Sequence, residues 1–347
     1  MSETMQAAFF AGAGAVELRE VPAPQPEPGE VLLDVRACGI CGSDLHQFAG
    51  RWPQPEFVVG HEIAGEILAV GDGVSGWSVG DRVCVEPFLY CGACRYCMAG
   101  RYYQCRAMGF LTLTADGGFA ERMTCPAYTL YRLPDHLDFA TGALVEPLAV
   151  GVHAVRIVGV DGADDVLVLG AGAIGLMTAA AARAFGARAV ALTARHEYQA
   201  AAARGLGIET VLSTDPDTLR EQVAALFPCG PSAVFETVGS AQGTFQQAVD
   251  LAGRLARVAL LGGNTAPVER FDFSPLPTKE LVLYAPLAYA QIGLHRDFSV
   301  ALDVLGAAPE RYAPLITHRF GLADIQKAFA LASDKARSHA VKVMMVR

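Results

Sequence analysis

The spacing of hydrophobic residues along this chain changes near residue 150. Before that point, short apolar runs are separated by turn-forming Gly and Pro, a pattern typical of β-strands. Clear examples are the segments EVLLDVRA, AGEILAVG, DRVCVEP and RMTCPAYTLYRLP. The pattern therefore predicts a mostly β domain at the start of the chain.

From Asp165 onward, strand-like and helix-like segments alternate. Apolar segments such as VLVLG, RAVAL and SAVFETVG are followed by helical patterns such as AIGLMTAAAARAFG, EYQAAAARGLG and TFQQAVDLAG. Alternating units of this kind predict an α/β fold with a parallel sheet covered by helices on both faces. After about Ala285 the alternation stops, and the chain ends in DIQKAFALAS and AVKVMMV. We predict a β domain over 1–148, an α/β domain over 149–286 and a tail over 287–347 that returns to the first domain.

Length, charge and the first residues narrow the class of protein. A chain of 347 residues fits two domains, and a net charge of -9 without a long Lys/Arg run argues against nucleic-acid binding. The start MSETMQAAFF has no basic segment followed by an apolar one, so no signal peptide is expected. The apolar stretch 166–182 contains glycines and has charged neighbours, which favours a buried strand and helix over a membrane span. We expect a cytoplasmic protein that acts on small molecules, without nucleic-acid or membrane partners.

Four cysteines lie close together in the segment CGACRYCMAGRYYQC. They are Cys91, Cys94, Cys97 and Cys105, in the pattern C-x2-C-x2-C-x7-C. Four thiolates in one loop predict a closed tetrahedral zinc site that serves structure, because no ligand position remains for water or substrate. The alternatives are incidental core cysteines or a disulfide pair. Polar flanks argue against a core segment, and the five scattered remaining cysteines suit a reducing cytosol.

A glycine motif follows the apolar segment VLVL. Gly170, Gly172 and Gly175 form G-x-G-x-x-G, with Ala173 and Ile174 opening an Ala-rich helix. The first glycine permits a tight turn, the second lets the backbone approach a pyrophosphate, and the third permits close packing of helix on strand. Free N–H groups at the helix start would then bind the phosphates. The motif predicts a dinucleotide site, although glycines that merely end a strand are the alternative.

The end of the next strand bears on the choice between NAD and NADP. NAD sites usually have an acidic residue there for the adenosine ribose, but this chain has Ala194 and Arg195 in the segment ALTARH. A small residue beside a guanidinium suits an adenosine 2′-phosphate, so we favour NADP over NAD. The alternative is a solvated Arg195 and bound NAD. Gly262, after RVALL, fits a strand end beside the nicotinamide or a simple turn.

A second group of zinc-ligand types lies earlier in the chain. The segments CGICGSDLHQF and VVGHEIAGE contain Cys41, Asp44, His46, His61 and Glu62. A zinc ion held by fewer than four permanent protein ligands keeps a coordination position open for substrate, as in a catalytic site. Together with the four-cysteine loop, EPLAVGVHA and VLGAGAIGL, these motifs resemble a zinc-dependent medium-chain dehydrogenase/reductase of the sorbitol and threonine dehydrogenase branches. The resemblance covers essentially the whole chain. It implies a GroES-like, β-rich catalytic domain with a structural zinc lobe, and a Rossmann domain with a doubly wound parallel sheet.

The resemblance also implies which residues hold the catalytic zinc. Cys41 and His61 match two of its ligands, and Glu62 matches a ligand or an exchangeable one. Glu146, in EPLAVGVH, matches a position that binds the zinc directly or holds its water. Asp44 would accept a hydrogen bond from His61 and orient the ring. Two zinc ions per chain are therefore expected, one catalytic and one structural.

The implied reaction is the oxidation of a secondary alcohol to a ketone, through a zinc alkoxide and hydride transfer to the nicotinamide. The substrate would be a polyol, sugar alcohol, sugar phosphate or amino alcohol, with Ser43 passing the proton to a relay that ends at His46. A homodimer or homotetramer is implied by the family. Alternatives are an L-threonine 3-dehydrogenase-like enzyme, a simple secondary alcohol dehydrogenase, or a non-catalytic cofactor-binding member. A zinc-free quinone reductase would lack both cysteine motifs.

The loop after His46 is open to two interpretations. Phe48, Arg51 and Trp52 would either wall the substrate pocket or pack as ordinary surface residues. A guanidinium at position 51 suits a phosphate or carboxylate on the substrate.

Overall fold

Two compact units make up the chain. The computed structural model describes residues 3–239, 243–263 and 270–347. The first unit runs up to Glu146 and includes Leu305–Arg347, whereas the second comprises Pro147–Val304. The carboxyl-terminal residues thus belong with the first unit, and the first boundary lies within two residues of the predicted one.

The strands carry one number each in chain order. They are β1 (Thr4–Phe10), β2 (Val16–Pro22), β3 (Glu30–Gly39), β4 (Glu62–Val70), β5 (Arg82–Val85), β6 (Phe88–Leu89), β7 (Gly109–Phe110), β8 (Arg122–Pro126), β9 (Leu130–Arg132), β10 (Asp165–Leu169), β11 (Ala189–Thr193), β12 (Thr210–Leu212), β13 (Ala233–Glu236), β14 (Arg257–Leu260), β15 (Val282–Tyr284), β16 (Gln291–Ile292), β17 (His295–Arg296), β18 (Ile316–Phe320) and β19 (Lys342–Val346).

The helices are numbered in the same way. They are α1 (Gly42–Phe48), α2 (Arg95–Met98), α3 (Phe139–Ala143), α4 (Val145–Val158), α5 (Ala173–Ala184), α6 (Glu197–Gly205), α7 (Pro216–Leu226), α8 (Thr244–Leu251), α9 (Pro275–Lys279), α10 (Asp297–Gly306), α11 (Pro309–Tyr312), α12 (Ile325–Ser333) and α13 (Lys335–Ser338). Short 3₁₀ turns add Tyr102–Gln104, Ala127–Thr129, Ala313–Leu315 and Leu322–Asp324.

A seven-stranded sheet forms the frame of the first unit. Its order is β18-β19-β3-β4-β5-β9, and β8 also pairs with β3. The strand β3 is long and mostly apolar, so it occupies the centre and pairs with β4, β8 and β19. Aromatic residues fill the core, where the ring of Phe329 from α12 packs at 5.2 Å from Phe48 and at 5.8 Å from Phe119. The predicted β domain is present, and the part of the tail that returns to it is Leu305–Arg347.

A six-stranded parallel sheet forms the second unit. Its order is β12-β11-β10-β13-β14-β15, with each neighbouring pair parallel. The strand β10 is nearly all apolar because both of its faces are covered, and Leu167 and Val168 are fully buried. From β10 the chain adds β11 and β12 on one side of the sheet, and it then adds β13, β14 and β15 on the other side. The point between β10 and β13, where the order of strands reverses, is where doubly wound sheets bind nucleotides. The predicted Rossmann-type α/β fold is confirmed.

The segment 287–304 differs from the prediction, because it lies in the second unit and not in the returning tail. A buried charge cluster explains this. Asp297, at the start of α10, accepts a hydrogen bond from the backbone of Ala290 at 2.8 Å and lies 2.7 Å from Nδ1 of His153. Arg156 forms an ion pair with the same carboxylate. These contacts hold the β16–β17 hairpin and α10 to helix α4, so the second boundary falls at 304/305 instead of 286/287.

One stretch, Phe139–Val158, is long and apolar enough to cross a bilayer by length and composition. Its mean hydropathy is 1.3, but 83% of its most apolar window is buried inside the protein. Core helices of this kind meet the same criteria, so the stretch is weak support for a membrane span. The apolar segment 166–182 is divided between β10 and α5, as predicted.

Candidate metal and cofactor sites

Cys41 caps the helix α1, and the carboxylate of Asp44 fixes its backbone. The N–H of Cys41 donates to Oδ2 of Asp44 at 2.8 Å, so the side chain three residues into the helix reaches back to its start. Asp44 is almost fully buried, with 1% of its surface exposed. The local sequence CGSD thereby sets the position of the cysteine thiol.

The other oxygen of Asp44 faces His61, which immediately precedes β4. Its Oδ1 atom lies 3.5 Å from Nδ1 of His61, and both side chains are buried. Within the described parts of the chain, neither of these two atoms has a hydrogen-bond partner. A carboxylate behind one imidazole nitrogen is the arrangement that orients a metal-binding histidine and leaves Nε2 for the ion.

Negative groups surround His61. Burial alone lowers the pKa of this histidine, but Asp44, Cys41 and Glu146 together raise it well above its ordinary value. Burial likewise opposes the charge of Lys342, yet Glu62, Cys41 and Glu146 raise its pKa. The acidic side chains around His61 and Lys342 therefore stabilise a positive charge at this place. Thiol, imidazole and carboxylate are donor types that bind zinc. Among the residues that the structure describes, however, only the four cysteines of the loop come together as a group that could hold a metal ion.

The structure places Glu62 against a lysine that the sequence patterns did not identify. Lys342 Nζ donates to both carboxylate oxygens of Glu62, at 2.5 and 2.7 Å, and to the carbonyl of Ile40 at 3.2 Å. The side chains of Glu62 and Lys342 are 0% and 4% exposed. A Cβ on Gly39 would lie 2.0 Å from Glu62 Oε2, so glycine leaves room for the carboxylate. The only signal in the sequence is a lysine at the start of the apolar segment KVMMV.

Ser43 and His46 lie three residues apart on α1, and both are half-buried. This spacing puts them on one face of the helix. The ring of His46 packs on Trp52 at a centroid distance of 4.8 Å. Burial lowers the pKa of His46, and the charges of Arg51 and Lys335 lower it further. Phe48 lies in the apolar core instead, so it does not wall a pocket.

The four cysteines of the loop come together in space. Their sulfur atoms all lie within 4.8 Å of one another, and four of the sulfur pairs are 3.5 to 4.0 Å apart. Sulfurs bound tetrahedrally at roughly 2.3 Å from zinc would be about 3.8 Å apart. Backbone N–H groups of Cys97 and Arg106 lower the pKa of Cys94 to about 6, which favours its thiolate form. No cysteine is in a disulfide. The donor set and its spacing fit zinc.

Each glycine of the G-x-G-x-x-G motif has a distinct steric reason in the second unit. Gly170 has φ +105°, and a Cβ there would approach Val238 within 2.6 Å. A Cβ on Gly175 would lie 1.9 Å from the carbonyl oxygen of Gly170, whereas Gly172 faces open space. Gly172 is the N-cap of α5, and Ala173 and Ile174 follow as its first residues. Their N–H groups lie at the helix start, where a pyrophosphate would bind.

The end of β11 adjoins this turn. The backbone N–H of Gly170 donates to Thr193 Oγ1 at 2.8 Å, so the threonine stabilises the glycine turn. Ala194 is half-buried and Arg195 is exposed. Across the residues that the structure describes, the Arg195 guanidinium takes part in no ion pair, whereas Glu197 pairs with Arg204 at 2.7 Å. The arginine is therefore available to an anionic group at this edge of the sheet.

Gly262 packs beside a buried carboxylate at the end of β13. Glu236 Oε1 accepts hydrogen bonds from the N–H groups of Val238 and Gly239 and from the hydroxyl of Thr244, at 2.6 to 2.8 Å. A Cβ on Gly262 would lie 2.5 Å from Glu236 Oε2 and 2.2 Å from the nitrogen of Gly239. Only glycine therefore fits at position 262, where the loop after β14 contacts the loop after β13. Sequence patterns missed Glu236, although an acid that ends the apolar segment AVFE is a usable signal.

Family models match most of the chain. A model described as "Alcohol dehydrogenase GroES-like domain" matches residues 27–135, and one described as "Zinc-binding dehydrogenase" matches residues 173–306. Sorbitol dehydrogenase of Bacillus subtilis (strain 168) is 31% identical over 99% of this chain and 97% of its own length.

Solved structures agree with these matches. A Sinorhizobium meliloti 1021 protein, named as a zinc-binding dehydrogenase and bound to NADP, is 30% identical, with a TM-score of 0.90 and 100% of each chain covered. An Escherichia coli CFT073 protein, named as a short chain alcohol dehydrogenase and complexed with NADH, is 28% identical, with a TM-score of 0.88 and 99% of each chain covered.

Proposed function

Because this chain belongs to the zinc-dependent medium-chain dehydrogenases and is an alcohol dehydrogenase of that family, we propose that it oxidises a secondary alcohol on a polyol-like substrate to the ketone with NAD(P). The observation that carries the proposal is the group of negative donors around His61, with Asp44 behind the ring. The substrate classes that we propose are polyols, sugar alcohols, sugar phosphates and amino alcohols. An L-threonine 3-dehydrogenase-like enzyme is the second candidate, because a threonine dehydrogenase is also among the relatives.

Cys41, His61 and Glu146 would hold the catalytic zinc. When bound, that ion lowers the pKa of an alcohol and polarises a carbonyl. Asp44, whose Oδ1 lies 3.5 Å from Nδ1 of His61, would orient the ring. Glu62 is paired with Lys342, so we propose that it stays an exchangeable ligand, available only when the lysine releases it.

Ser43 and His46 would carry the proton away from the substrate hydroxyl. Burial and nearby cations lower the pKa of His46, so the imidazole is mostly neutral near pH 7 and able to accept a proton. Its half-buried position gives it access to solvent, where the proton leaves.

The dinucleotide would bind at the carboxyl edge of the second unit's sheet. Gly170, Gly172 and Gly175 leave room for its pyrophosphate, and Ala173 and Ile174 present N–H groups to it. Ala194 and Arg195 would receive an adenosine 2′-phosphate, and Gly262 would lie near the nicotinamide. This assignment favours NADP over NAD.

Exchanging the residues at the end of β11 tests the preference for NADP. The double variant Ala194→Asp, Arg195→Leu should lose about 10- to 100-fold in kcat/KM with NADP and gain with NAD, because charge-assisted hydrogen bonds to the phosphate are lost. Steady-state kinetics with both cofactors measures this. Arg204→Leu, which removes a nearby exposed arginine paired with Glu197, is the matched control. A wild type that already prefers NAD would contradict the assignment.

Metal analysis tests the number of zinc ions. We expect about two zincs per chain in the wild type and about one in Cys94→Ser, because a closed four-sulfur site cannot spare a ligand. Plasma mass spectrometry of the purified protein gives the ratio, and Cys229→Ser, at an exposed cysteine outside the loop, is the control. A wild type with a single zinc, or a Cys94 variant that keeps two, would rule the two-site assignment out.

Three further features are proposed on family grounds. The enzyme would act in the cytoplasm, as a homodimer or homotetramer, with a zinc-binding catalytic domain and a separate cofactor domain. A screen of polyols, amino alcohols and sugar phosphates with NAD and NADP tests the function directly. Reduction of neither cofactor by any of these alcohols, in a folded and zinc-loaded protein, would favour a non-catalytic cofactor-binding member.

A further inference from the structure

Glu236 is a buried carboxylate that the proposed reaction does not use. It is the last residue of β13 and is 0% exposed. Its Oε1 atom accepts hydrogen bonds from the N–H groups of Val238 and Gly239, at 2.7 and 2.8 Å, and from the hydroxyl of Thr244 at 2.6 Å. Three donors on one oxygen match the ionised form of a carboxyl group, which only accepts hydrogen bonds. Glu236 therefore brings a negative charge into the interior of the second unit.

The groups that donate to Glu236 are all neutral. Two of them are backbone amides and the third is a hydroxyl. The other oxygen, Oε2, is also buried, and within residues 3–239, 243–263 and 270–347 it has no hydrogen-bond partner. A Cβ on Gly262 would lie 2.5 Å from Oε2, so this oxygen faces the loop after β14. A buried charge bonded only to neutral donors keeps much of its desolvation cost, and a cation brought near it would reduce that cost.

The position of Glu236 in the sheet is at the edge where a dinucleotide would bind. It lies opposite Leu169 at the end of β10 and opposite Leu260 at the end of β14. The next residue, Thr237, donates from its hydroxyl to the carbonyl of Leu169 at 2.8 Å, beside the glycine turn. The N–H of Gly262 donates to the carbonyl of Glu236 at 3.1 Å. The end of β13 therefore connects the glycine turn to the loop after β14.

The two ends of a dinucleotide would lie on opposite sides of β10. Doubly wound sheets consist of two mononucleotide-binding halves, and the dinucleotide crosses the crevice between them. We have assigned the adenosine end to Ala194 and Arg195, after β11. The nicotinamide end would then lie over the ends of β13 and β14, on the other side of β10. The carboxylate of Glu236 is at the same strand ends.

We infer that Glu236 favours binding of the oxidised dinucleotide over the reduced one, through attraction between its buried carboxylate and the positive charge of the oxidised nicotinamide ring. The inference rests on the proposed function, because it concerns the cofactor of that reaction. A hydride from the alcohol carbon removes the positive charge of the ring, and the hydroxyl proton leaves separately. Only the oxidised form is therefore attracted. Charges inside a protein are screened far less than charges in water, so this attraction needs no direct contact.

Binding of the two cofactor forms to a charge-neutral variant tests the inference. Wild type and Glu236→Gln are titrated calorimetrically with NADP⁺, NADPH and 2′-phospho-ADP-ribose, which has no nicotinamide. If the wild type prefers NAD, the ligands are NAD⁺, NADH and ADP-ribose. In Glu236→Gln the Kd of the oxidised form should rise about tenfold relative to that of the reduced form, because the amide keeps an acceptor oxygen but carries no charge. The Kd of the ligand without nicotinamide should change far less.

The variant Glu236→Asp separates the charge from the hydrogen bonds. Aspartate keeps the negative charge, but its shorter side chain withdraws the oxygens from the three donors. All Kd values should therefore rise together, while the ratio between the reduced and oxidised forms stays near that of the wild type. Glu221→Gln, which removes the same charge from an exposed residue of α7, is the matched control and should leave every Kd unchanged.

A purely structural role of Glu236 predicts a different result. An unchanged ratio of Kd values in a Glu236→Gln protein that is folded by circular dichroism would overturn the inference. If that variant does not fold, Glu236→Asp decides, because a ratio that falls about tenfold although the charge is kept would also overturn it, whereas a retained ratio supports it.

The titrations do not require turnover, so they separate this inference from the proposed function. The expected change of ratio in a protein that oxidises no alcohol would leave the inference standing, and only the proposed function would fail. Oxidation of alcohols together with an unchanged ratio in Glu236→Gln would overturn only the inference. A folded wild type that binds neither form of either dinucleotide would overturn both.

Discussion

Replacing His61 with alanine should abolish turnover while the protein remains folded and able to bind its dinucleotide. His61 is buried beside Asp44, and Cys41 and Glu146 act on its charge, so its loss would remove one of the proposed zinc ligands. Lewis-acid stabilisation by a metal is worth several kcal/mol, and each ~1.4 kcal/mol corresponds to tenfold in rate. We therefore expect kcat to fall by roughly a thousandfold or more.

Three measurements make the result decisive. Steady-state assays report kcat, circular dichroism reports folding, and fluorescence titration reports cofactor binding to the second unit. His136→Ala, at an exposed histidine whose ring lies 3.1 Å from the carbonyl of Gly306, is the control and should keep wild-type kcat. Cys41→Ala should reproduce the loss seen with His61→Ala. Undiminished turnover in a variant shown to lack the catalytic metal would refute the proposed mechanism.

Replacing Lys342 with methionine should cost about 3–5 kcal/mol in the stability of the first unit, because it leaves the charge of Glu62 buried and unpaired. Both partners are almost fully buried, which distinguishes this ion pair from surface pairs worth at most about 1 kcal/mol. Adding Glu62→Gln should restore most of the lost stability, since the unpaired charge is then gone.

Denaturant unfolding in a Cys41→Ala background, where the proposed catalytic zinc cannot offset the charge of Glu62, measures this loss. Hydrogen exchange at β3 and β19 then reports on the first unit, because the two units need not unfold together. Lys327→Met, which breaks an exposed pair with Asp324, is the matched control and should have little effect. The pKa of Lys342 is raised, so its contribution is fully present at neutral pH. That contribution should disappear only as pH rises through the raised pKa of the lysine. A Lys342→Met protein as stable as the control would contradict this account of the pair.

Local sequence was enough for the parts of the fold whose residues are close neighbours along the chain. The four-cysteine loop spans 15 residues, and its spacing alone predicted sulfurs that the structure brings within 4.8 Å. The glycine motif could be predicted equally well, because the contacts that call for glycine lie within one strand, turn and helix. The alternation of strands and helices likewise predicted the parallel sheet.

Contacts between distant residues could not be predicted in this way. Lys342 pairs with Glu62 across 280 positions, and a single lysine beside an apolar run does not indicate its partner. Phe48 was a candidate pocket residue because it follows His46, but the direction of its side chain depends on Phe329 from α12. The boundary at 304/305 depends on Asp297, whose partners His153 and Arg156 lie about 140 residues earlier.

The position of Lys342 also bears on how this protein is made. Glu62 leaves the ribosome 280 residues before the lysine that neutralises it. At a synthesis rate of about 5–20 residues per second, roughly 14 to 60 s pass between the synthesis of Glu62 and that of Lys342. During that interval the nascent first unit cannot bury Glu62 as a charged group without a large cost. The sheet of the first unit and the Glu62–Lys342 pair are therefore completed only after synthesis reaches β19, and a chain released before residue 342 would have an unfinished sheet.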